Sequence, residues 1–195
     1  MATPTGFPEL STMLINIGSV LPSIIGLMQG FAALIGLYLV ASALIEIWGV
    51  SNDNAMKYVS AKQKFSIPSA LIQLVVGGIF ASISTLEFVG VLSRTITGDY
   101  ANSRFVSYGA ADGTALAQSQ AAMHVLLGIL QVIGLSALMK AVLTFNRYHN
   151  AQGNASLPQS FSWLIGGFAC WNFAWVAQII NNTVGFEVIN LLGAT

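Results

Sequence analysis

The sequence predicts an all-α integral membrane protein with four transmembrane helices arranged as two similar hairpins. Of its 195 residues, 55% are hydrophobic and only 7% are charged, whereas about 25% are charged in an ordinary soluble domain. Charged residues are also missing from four long intervals, each longer than the roughly 20 residues that cross a hydrocarbon core. Open strands are excluded because their unpaired backbone groups would face lipid. We therefore expect a single membrane domain over residues 1–195.

The four uncharged intervals place the transmembrane helices near residues 22–48, 67–92, 121–146 and 158–182. Residues 9–21 are less hydrophobic than the stretch that follows, and Pro22 suits the first turn of a new helix, where no N–H is needed. We expect residues 9–21 to form an interfacial helix at the outer membrane surface. The alternative is one unbroken long helix with a kink at the proline.

The third predicted span contains Lys140 and two other polar side chains, His124 and Gln131, all of which oppose insertion. Twelve Leu, Ile, Val and Phe residues between 121 and 145 contribute about −4 to −7 kcal/mol to insertion, against about +3 kcal/mol for a central lysine. Lys140 lies near the predicted helix end, where its ammonium group can reach the interface. We therefore expect this interval to insert.

Basic residues predict the orientation of the helices. Lys57, Lys62, Lys64 and Arg147 follow the first and third intervals, while Arg94 and Arg104 follow the second. The positive-inside rule therefore places the loops 49–66 and 147–157 in the cytoplasm. Both termini, the loop 93–120 and the tail 183–195 are then predicted to lie outside.

Two segments of the sequence, about 22–92 and 121–182, resemble each other. Ile35-Gly36-Leu37 and Ile133-Gly134-Leu135 occupy matching places, and so do the segments from Pro68 to Gly77-Gly78-Ile79-Phe80-Ala81 and from Pro158 to Gly166-Gly167-Phe168-Ala169. Two spans per repeat require both repeats to run in the same direction, related by an axis along the membrane normal. Chance similarity between glycine-rich membrane helices is the alternative.

Small residues four positions apart let two helix backbones approach closely in lipid. The patterns are Gly26-x-x-x-Gly30, Gly78-x-x-x-Ser82 and Gly166-x-x-x-Cys170. The candidate packing or assembly residues are Gly26, Gly30, Gly77, Gly78, Gly166 and Gly167. The spacing leaves open whether each glycine faces a helix of the same chain or of a second copy. Gln29, Gln73, Gln131, Asn172 and Gln178 are predicted to form hydrogen bonds between helices.

Three ionisable residues fall near the ends of the predicted spans: Glu46, Glu87 and Lys140. We interpret them as interfacial or paired charges, with intersubunit ion pairs and a transport role as the alternatives. No HExxH, P-loop, GxSxG or cysteine-rich motif occurs, so we predict no catalytic residue, no metal site and no cofactor. Seven basic residues balance seven acidic ones, so no electrostatic footprint for nucleic acid is present. Bound phospholipid is compatible with this composition.

The arrangement of these glycines resembles a known family. Ile35-Gly36-Leu37, Gly77-Gly78-Ile79-Phe80 with the polar loop that follows, Ile133-Gly134-Leu135, and Leu164 to Ala169 followed by Asn172 are similar to the small hydrophobic inner-membrane components of type IVB secretion and conjugation systems, the DotE/IcmC and TraQ group. The resemblance spans most of the chain. It implies a membrane subunit of a multiprotein translocation machine, located in a bacterial inner membrane with periplasmic termini, and no catalytic residues.

The sequence therefore favours a structural subunit that assembles with itself and with other secretion or conjugation subunits into a channel, platform or pilus. One alternative is that the chain is itself a conjugative pilin, which would become extracellular once assembled. Another is a small solute transporter with parallel repeats.

Overall fold

The structure is a computed structural model that describes residues 10–51, 67–98, 115–150 and 154–184. Within these ranges the chain forms α-helices and no strand. The helices are α1 (Leu10–Ser51), α2 (Ile67–Ser84), α3 (Glu87–Thr97), α4 (Ala115–His149), α5 (Leu157–Trp171) and α6 (Phe173–Val184). The predicted all-α class is confirmed for the described part of the chain.

Three of these helices, α1, α2 and α4, are long and apolar enough to cross a membrane. The helices α5 and α6 add a fourth span only if they count as one, because the chain bends by 85° between them. Many large apolar side chains on these helices are exposed, with Leu37 and Tyr38 of α1 about 70% accessible. Such surfaces are compatible with insertion into lipid.

The helix α1 continues without a break through Pro22, so the prediction that a new helix begins at Pro22 is wrong and the alternative of one unbroken helix is confirmed. Leu21 and Ile25, on either side of the proline, are each only 3% exposed. Both turns therefore pack against the rest of the chain, although Pro22 donates no backbone hydrogen bond to the preceding turn. With 42 residues, α1 is about 63 Å long, roughly twice the thickness of the hydrocarbon core.

The second and fourth predicted spans are each divided into two helices, which the hydrophobicity pattern did not indicate. A turn at Thr85 and Leu86 separates α2 from α3, and Leu86 has a left-handed backbone with φ of 61°. For a residue with a Cβ this conformation costs about 1–2 kcal/mol. Asn172 separates α5 from α6. Neither of the predicted spans 67–92 and 158–182 is therefore one continuous helix.

The parts of the chain on which the orientation was predicted lie largely outside the described residues. These parts are 52–66, with the three lysines of the first loop, 99–114 in the predicted outer loop, and 185–195 in the predicted tail. The remaining ends of the predicted loop 93–120 are helical and belong to α3 and α4. The predicted orientation in the membrane stays a prediction.

The helices pack as two antiparallel pairs. Along α1 and α2, Gly36 lies beside Ala81 while Ser42 Oγ donates a hydrogen bond to Gln73 Oε1 at 3.0 Å, so the two helices run in opposite directions. The pair formed by α4 and α5 behaves in the same way. In that pair Ser160 Oγ donates to the Ala141 carbonyl at 2.8 Å. The helix α4 also packs against α1 and α2 and joins the pairs.

Two hydrogen bonds between the pairs show that they point in the same direction. Ser69 at the start of α2 donates to Asn150 just after α4, so the start of α2 and the end of α4 lie at the same end of the bundle, here called the loop end. At the opposite end, Ser93 Oγ of α3 donates to Asn172 Oδ1 at 2.5 Å, and both residues are buried. The latter bond ties α3 to the break between α5 and α6.

We expect Ser93→Ala and Asn172→Ala to be energetically coupled by about 0.6–1.7 kcal/mol, the range for hydrogen bonds between membrane helices. The coupling is measured from the unfolding free energies of the two single variants and the double variant in detergent. Ser162, whose hydroxyl bonds to its own helix, provides the control. Ser93→Ala and Ser162→Ala should be additive, and additive effects of Ser93→Ala and Asn172→Ala would contradict the assignment.

Candidate functional site

The closest approach of α1 and α2 is formed by Gly36 and Gly77. A Cβ added to Gly36 would lie 3.0 Å from both the Gly77 carbonyl oxygen and the Ala81 nitrogen. A Cβ added to Gly77 would lie 3.0 Å from the Gly36 oxygen and 2.7 Å from a methyl carbon of Val40. Since these neighbours include backbone atoms, no side-chain movement alone can make room. Only glycine allows the two helices to be this close.

The closest approach of α4 and α5 is formed in the same way, by the equivalent backbone atoms of Gly134 and Gly167. A Cβ added to Gly134 would lie 2.8 Å from the Gly167 oxygen and 2.7 Å from the Trp171 nitrogen. A Cβ added to Gly167 would lie 2.9 Å from both the Gly134 oxygen and the Leu138 nitrogen. Each glycine therefore contacts the backbone of the glycine opposite and of the residue four positions further along.

The two crossings also match in sequence position. Gly77 follows Pro68 by nine residues, and Gly167 follows Pro158 by nine residues. The first glycine of one Gly-Gly pair is thus equivalent to the second glycine of the other pair. Adjacent helical residues point about 100° apart, so Gly78 and Gly166 cannot share these contacts.

Four of the six predicted packing glycines lie on the surface of the chain. A Cβ added to Gly26, Gly30, Gly78 or Gly166 would meet nothing within 4 Å, and all four residues are exposed. The structure therefore separates the candidates into two groups. Gly77 and Gly167 pack within the chain, and the other four are available to lipid or to another molecule.

The surface around Gly26 and Gly30 belongs to α1, the least buried of the three long candidate spans. Only 22% of the most hydrophobic window of α1 is buried within the chain, compared with 39% for α4. Ser23 and Ala33 are exposed near the two glycines on the same side of α1. This side of the helix has a shallow surface with small side chains, flanked by the large exposed side chains of Leu27 and Leu34.

The three predicted charged positions have different surroundings. Glu46 on α1 is 2% exposed, Glu87 is exposed in the first turn of α3, and Lys140 is exposed with its Nζ 3.8 Å from the centre of the Trp163 ring. A carboxylate at a helix start and a cation over an indole are both favourable arrangements. Glu46 is the group whose burial the sequence did not indicate.

The contact between Lys140 and Trp163 replaces a different contact in the first pair. Lys140 follows Gly134 by six residues, as Ser42 follows Gly36, and Trp163 precedes Gly167 by four residues, as Gln73 precedes Gly77. The hydrogen bond from Ser42 to Gln73 in the first pair is therefore at the position where the second pair has the contact between Lys140 and Trp163. The two pairs share their backbone contact and differ in their polar side chains.

Two of the predicted interhelical hydrogen bonds are confirmed, those of Gln73 and Asn172. The structure adds residues that the sequence did not single out. Asn146 is buried and accepts a hydrogen bond from Asn150, and the indole nitrogen of Trp171 is buried without a hydrogen-bond acceptor among the described residues. Asn146 and Asn172 each stand within an apolar stretch of the sequence. That position was the signal from which the burial of Asn146 could have been predicted.

The described residues contain no cluster of three or more His, Cys, Asp or Glu side chains that could hold a metal ion. The sequence matches no protein-family model, and no curated protein and no solved structure is significantly similar to it. The internal geometry therefore carries the functional argument.

Neighbouring glycines provide a matched test of the crossings. Gly77→Ala and Gly167→Ala should lower the free energy of unfolding by about 1–3 kcal/mol because the new Cβ forces the backbones apart. Gly78→Ala and Gly166→Ala, one residue away, should leave stability unchanged or raise it by up to about 1 kcal/mol, because alanine favours helix. Thermal denaturation in detergent measures both. Equal effects within each pair of neighbours would contradict the crossing geometry.

Proposed function

We propose that this chain is a non-enzymatic structural subunit of a membrane assembly, built from a duplicated helix hairpin and joined to further copies through exposed glycines. The four spans, two from each hairpin, would cross the membrane in the same direction in both halves. The observation that carries the proposal is the exposed pair Gly26 and Gly30 on α1, which is the least buried of the three long candidate spans α1, α2 and α4.

Duplication is supported by the contacts of the two helix pairs. The same backbone atoms meet at Gly36–Gly77 and at Gly134–Gly167, and the second helix of each pair is followed by a break and a shorter helix. The hydrogen bond between Ser69 and Asn150 keeps both loop ends together. Two hairpins in the same direction are related by an axis along the membrane normal, as in transporters with parallel repeats.

Self-association is supported by the use of glycine in the rest of the molecule. In the α1–α2 and α4–α5 pairs, glycine faces glycine at the closest contact. In lipid, such contacts are driven by dispersion between closely approaching backbones, since burial of apolar surface gives no advantage over acyl chains. The exposed glycines on α1 offer the same contact to a second copy, and two α1 helices could then pack along them.

The proposed setting is a type IVB secretion or conjugation apparatus in a bacterial inner membrane. It rests on the resemblance of the glycine-containing segments, Ile35-Gly36-Leu37 and Ile133-Gly134-Leu135 with their partners in the second and fourth spans, to the DotE/IcmC and TraQ group. Other subunits of that apparatus would be the partners. A conjugative pilin, itself small, hydrophobic and helical, is the alternative within the same system.

Single cysteines at the exposed glycines test the assembly. In a Cys170→Ala background, which removes the only native cysteine, Gly26→Cys or Gly30→Cys should give disulfide-linked dimers in native membranes on mild oxidation. The close approach expected at a glycine contact brings the two thiols within bonding distance. Gel electrophoresis without reductant measures the dimer fraction.

Phe31→Cys is the matched control for this experiment. Phe31 is next to Gly30 and 53% exposed, but its side chain points about 100° away around the helix. Cross-linking at Gly30 and not at Phe31 supports the proposed face. Cross-linking at neither glycine, together with a monomer in mild detergent, would overturn self-association through α1.

A small solute transporter is the second candidate, favoured by the burial of Glu46 in a candidate span. Ionisable groups inside membrane spans are costly and are commonly retained for transport. A transporter would lose uptake on Glu46→Gln while keeping its thermal stability. A structural subunit would keep its cross-linking pattern in the same variant, so the two measurements on one variant distinguish the candidates.

A further inference from the structure

A polar pocket of about 430 Å³ lies at the loop end, between α4, the first turn of α5 and the residues Asn154 and Ala155 just before α5. Its walls include Lys140, Thr144 and Arg147 from α4, Asn154 from the connecting segment and Gln159 from the first turn of α5. The three α4 residues lie on one side of that helix because their spacings of four, three and seven are helical repeats. The volume is in the range of small-ligand sites.

The pocket is positively charged. Lys140 and Arg147 are about 10 Å apart along the axis of α4, and no acidic residue is among the described residues that line the pocket. The first turn of α5 carries the positive end of the helix dipole and borders the pocket at Gln159, whose backbone N–H is itself donated to Ser156 Oγ. Two cations, a helix start and two side-chain amides suit an anion such as a phosphate group.

The helix pair does not need these cations in order to form. In the first pair, the residues at the same distances from the crossing glycine as Lys140, Thr144 and Arg147 are Ser42, Glu46 and Gly49. That pair makes the same backbone contacts without a single cation at these places. The two cations are therefore a feature of the second pair and not of the helix contact that both pairs share.

The surroundings favour a phosphate that belongs to a lipid. Trp163 and Gly166 lie one and two helical turns beyond Gln159 on the same side of α5, and both are exposed. Ile133, two turns before Lys140 on α4, is 48% exposed. The pocket is thus continuous with an apolar surface that runs toward the middle of the helices, and basic pockets between membrane helices are known to hold lipid headgroups.

We propose that this pocket binds the phosphate headgroup of an anionic phospholipid. The phosphate lies between Lys140 and Arg147, Trp163 packs beside Lys140 at the edge of the headgroup, and an acyl chain covers Gly166 and Ile133. The site is separate from the glycines of α1, so it does not depend on self-association, and either proposal can fail while the other stands.

The test uses the full chain in mild detergent, titrated with phosphatidylglycerol and, separately, with phosphatidylcholine. Native mass spectrometry measures the bound lipid and thermal denaturation measures the stabilisation. Phosphatidylglycerol should bind and raise the melting temperature, and phosphatidylcholine should do neither. In the variant Lys140→Gln/Arg147→Gln the affinity for phosphatidylglycerol should fall about 30-fold, since each cation contributes about one kcal/mol near an anionic lipid.

Two further variants keep the result interpretable. Arg94→Gln removes a cation from α3, at the opposite end of the bundle, and should bind phosphatidylglycerol as the wild type does. Asn154→Asp places a negative charge in the pocket at an exposed position and should weaken binding while leaving the contact between Lys140 and Trp163 intact. It therefore tests the site even if the double variant is unstable.

A titration with inorganic phosphate shows whether the bound anion is a lipid headgroup or a soluble ion. If millimolar phosphate stabilises the wild type as strongly as phosphatidylglycerol does, and only through Lys140 and Arg147, the pocket is a site for a soluble anion and the lipid proposal is overturned. Unchanged phosphatidylglycerol binding in both the double variant and Asn154→Asp would also overturn it. Selective loss of lipid binding in these variants, with no effect of phosphate, supports it.

Discussion

In both helix pairs the separation of the backbones is set by two opposed glycines, and the other contacts of the pair depend on that separation. Because Gly36 touches the backbone at Gly77, Ser42 and Gln73 come within hydrogen-bonding distance two turns further along. The fully buried side chains of Phe80 and Ile83 lie on the same helix as Gly77. A larger separation would leave these polar and apolar groups without their partners in a medium that offers few others.

The same backbone contact carries different side chains in the two halves. In the first half the positions near the loop end hold a neutral hydrogen bond and the buried Glu46, and in the second half they hold Lys140 beside Trp163 and an exposed Arg147. A crossing made by backbone atoms leaves these outer positions free to differ, because they do not determine how closely the helices pack. One half can therefore carry different polar side chains near the loop end while both halves keep the same backbone contact.

The gaps between charges predicted the helical class and the starts of α2 and α5, since hydrophobic length and a proline at a helix start are local signals. The spacing of Gly77-Gly78 could not show which glycine faces α1, because that depends on how α2 is rotated in the bundle. The breaks at Leu86 and Asn172 were missed for a related reason. Leu86 adopts a left-handed conformation that its residue type disfavours, and its packing against the core together with local backbone hydrogen bonds holds it there.

The shortness of α5 has a consequence for the bilayer around the molecule. Its 15 residues before the 85° bend extend only about 22 Å, less than the roughly 30 Å of a typical hydrocarbon core. Where α5 crosses a bilayer, the acyl chains next to it compress or tilt, at a cost of a fraction of a kcal/mol for each ångström of mismatch. The membrane beside α5 would then be thinner than the membrane around the rest of the molecule.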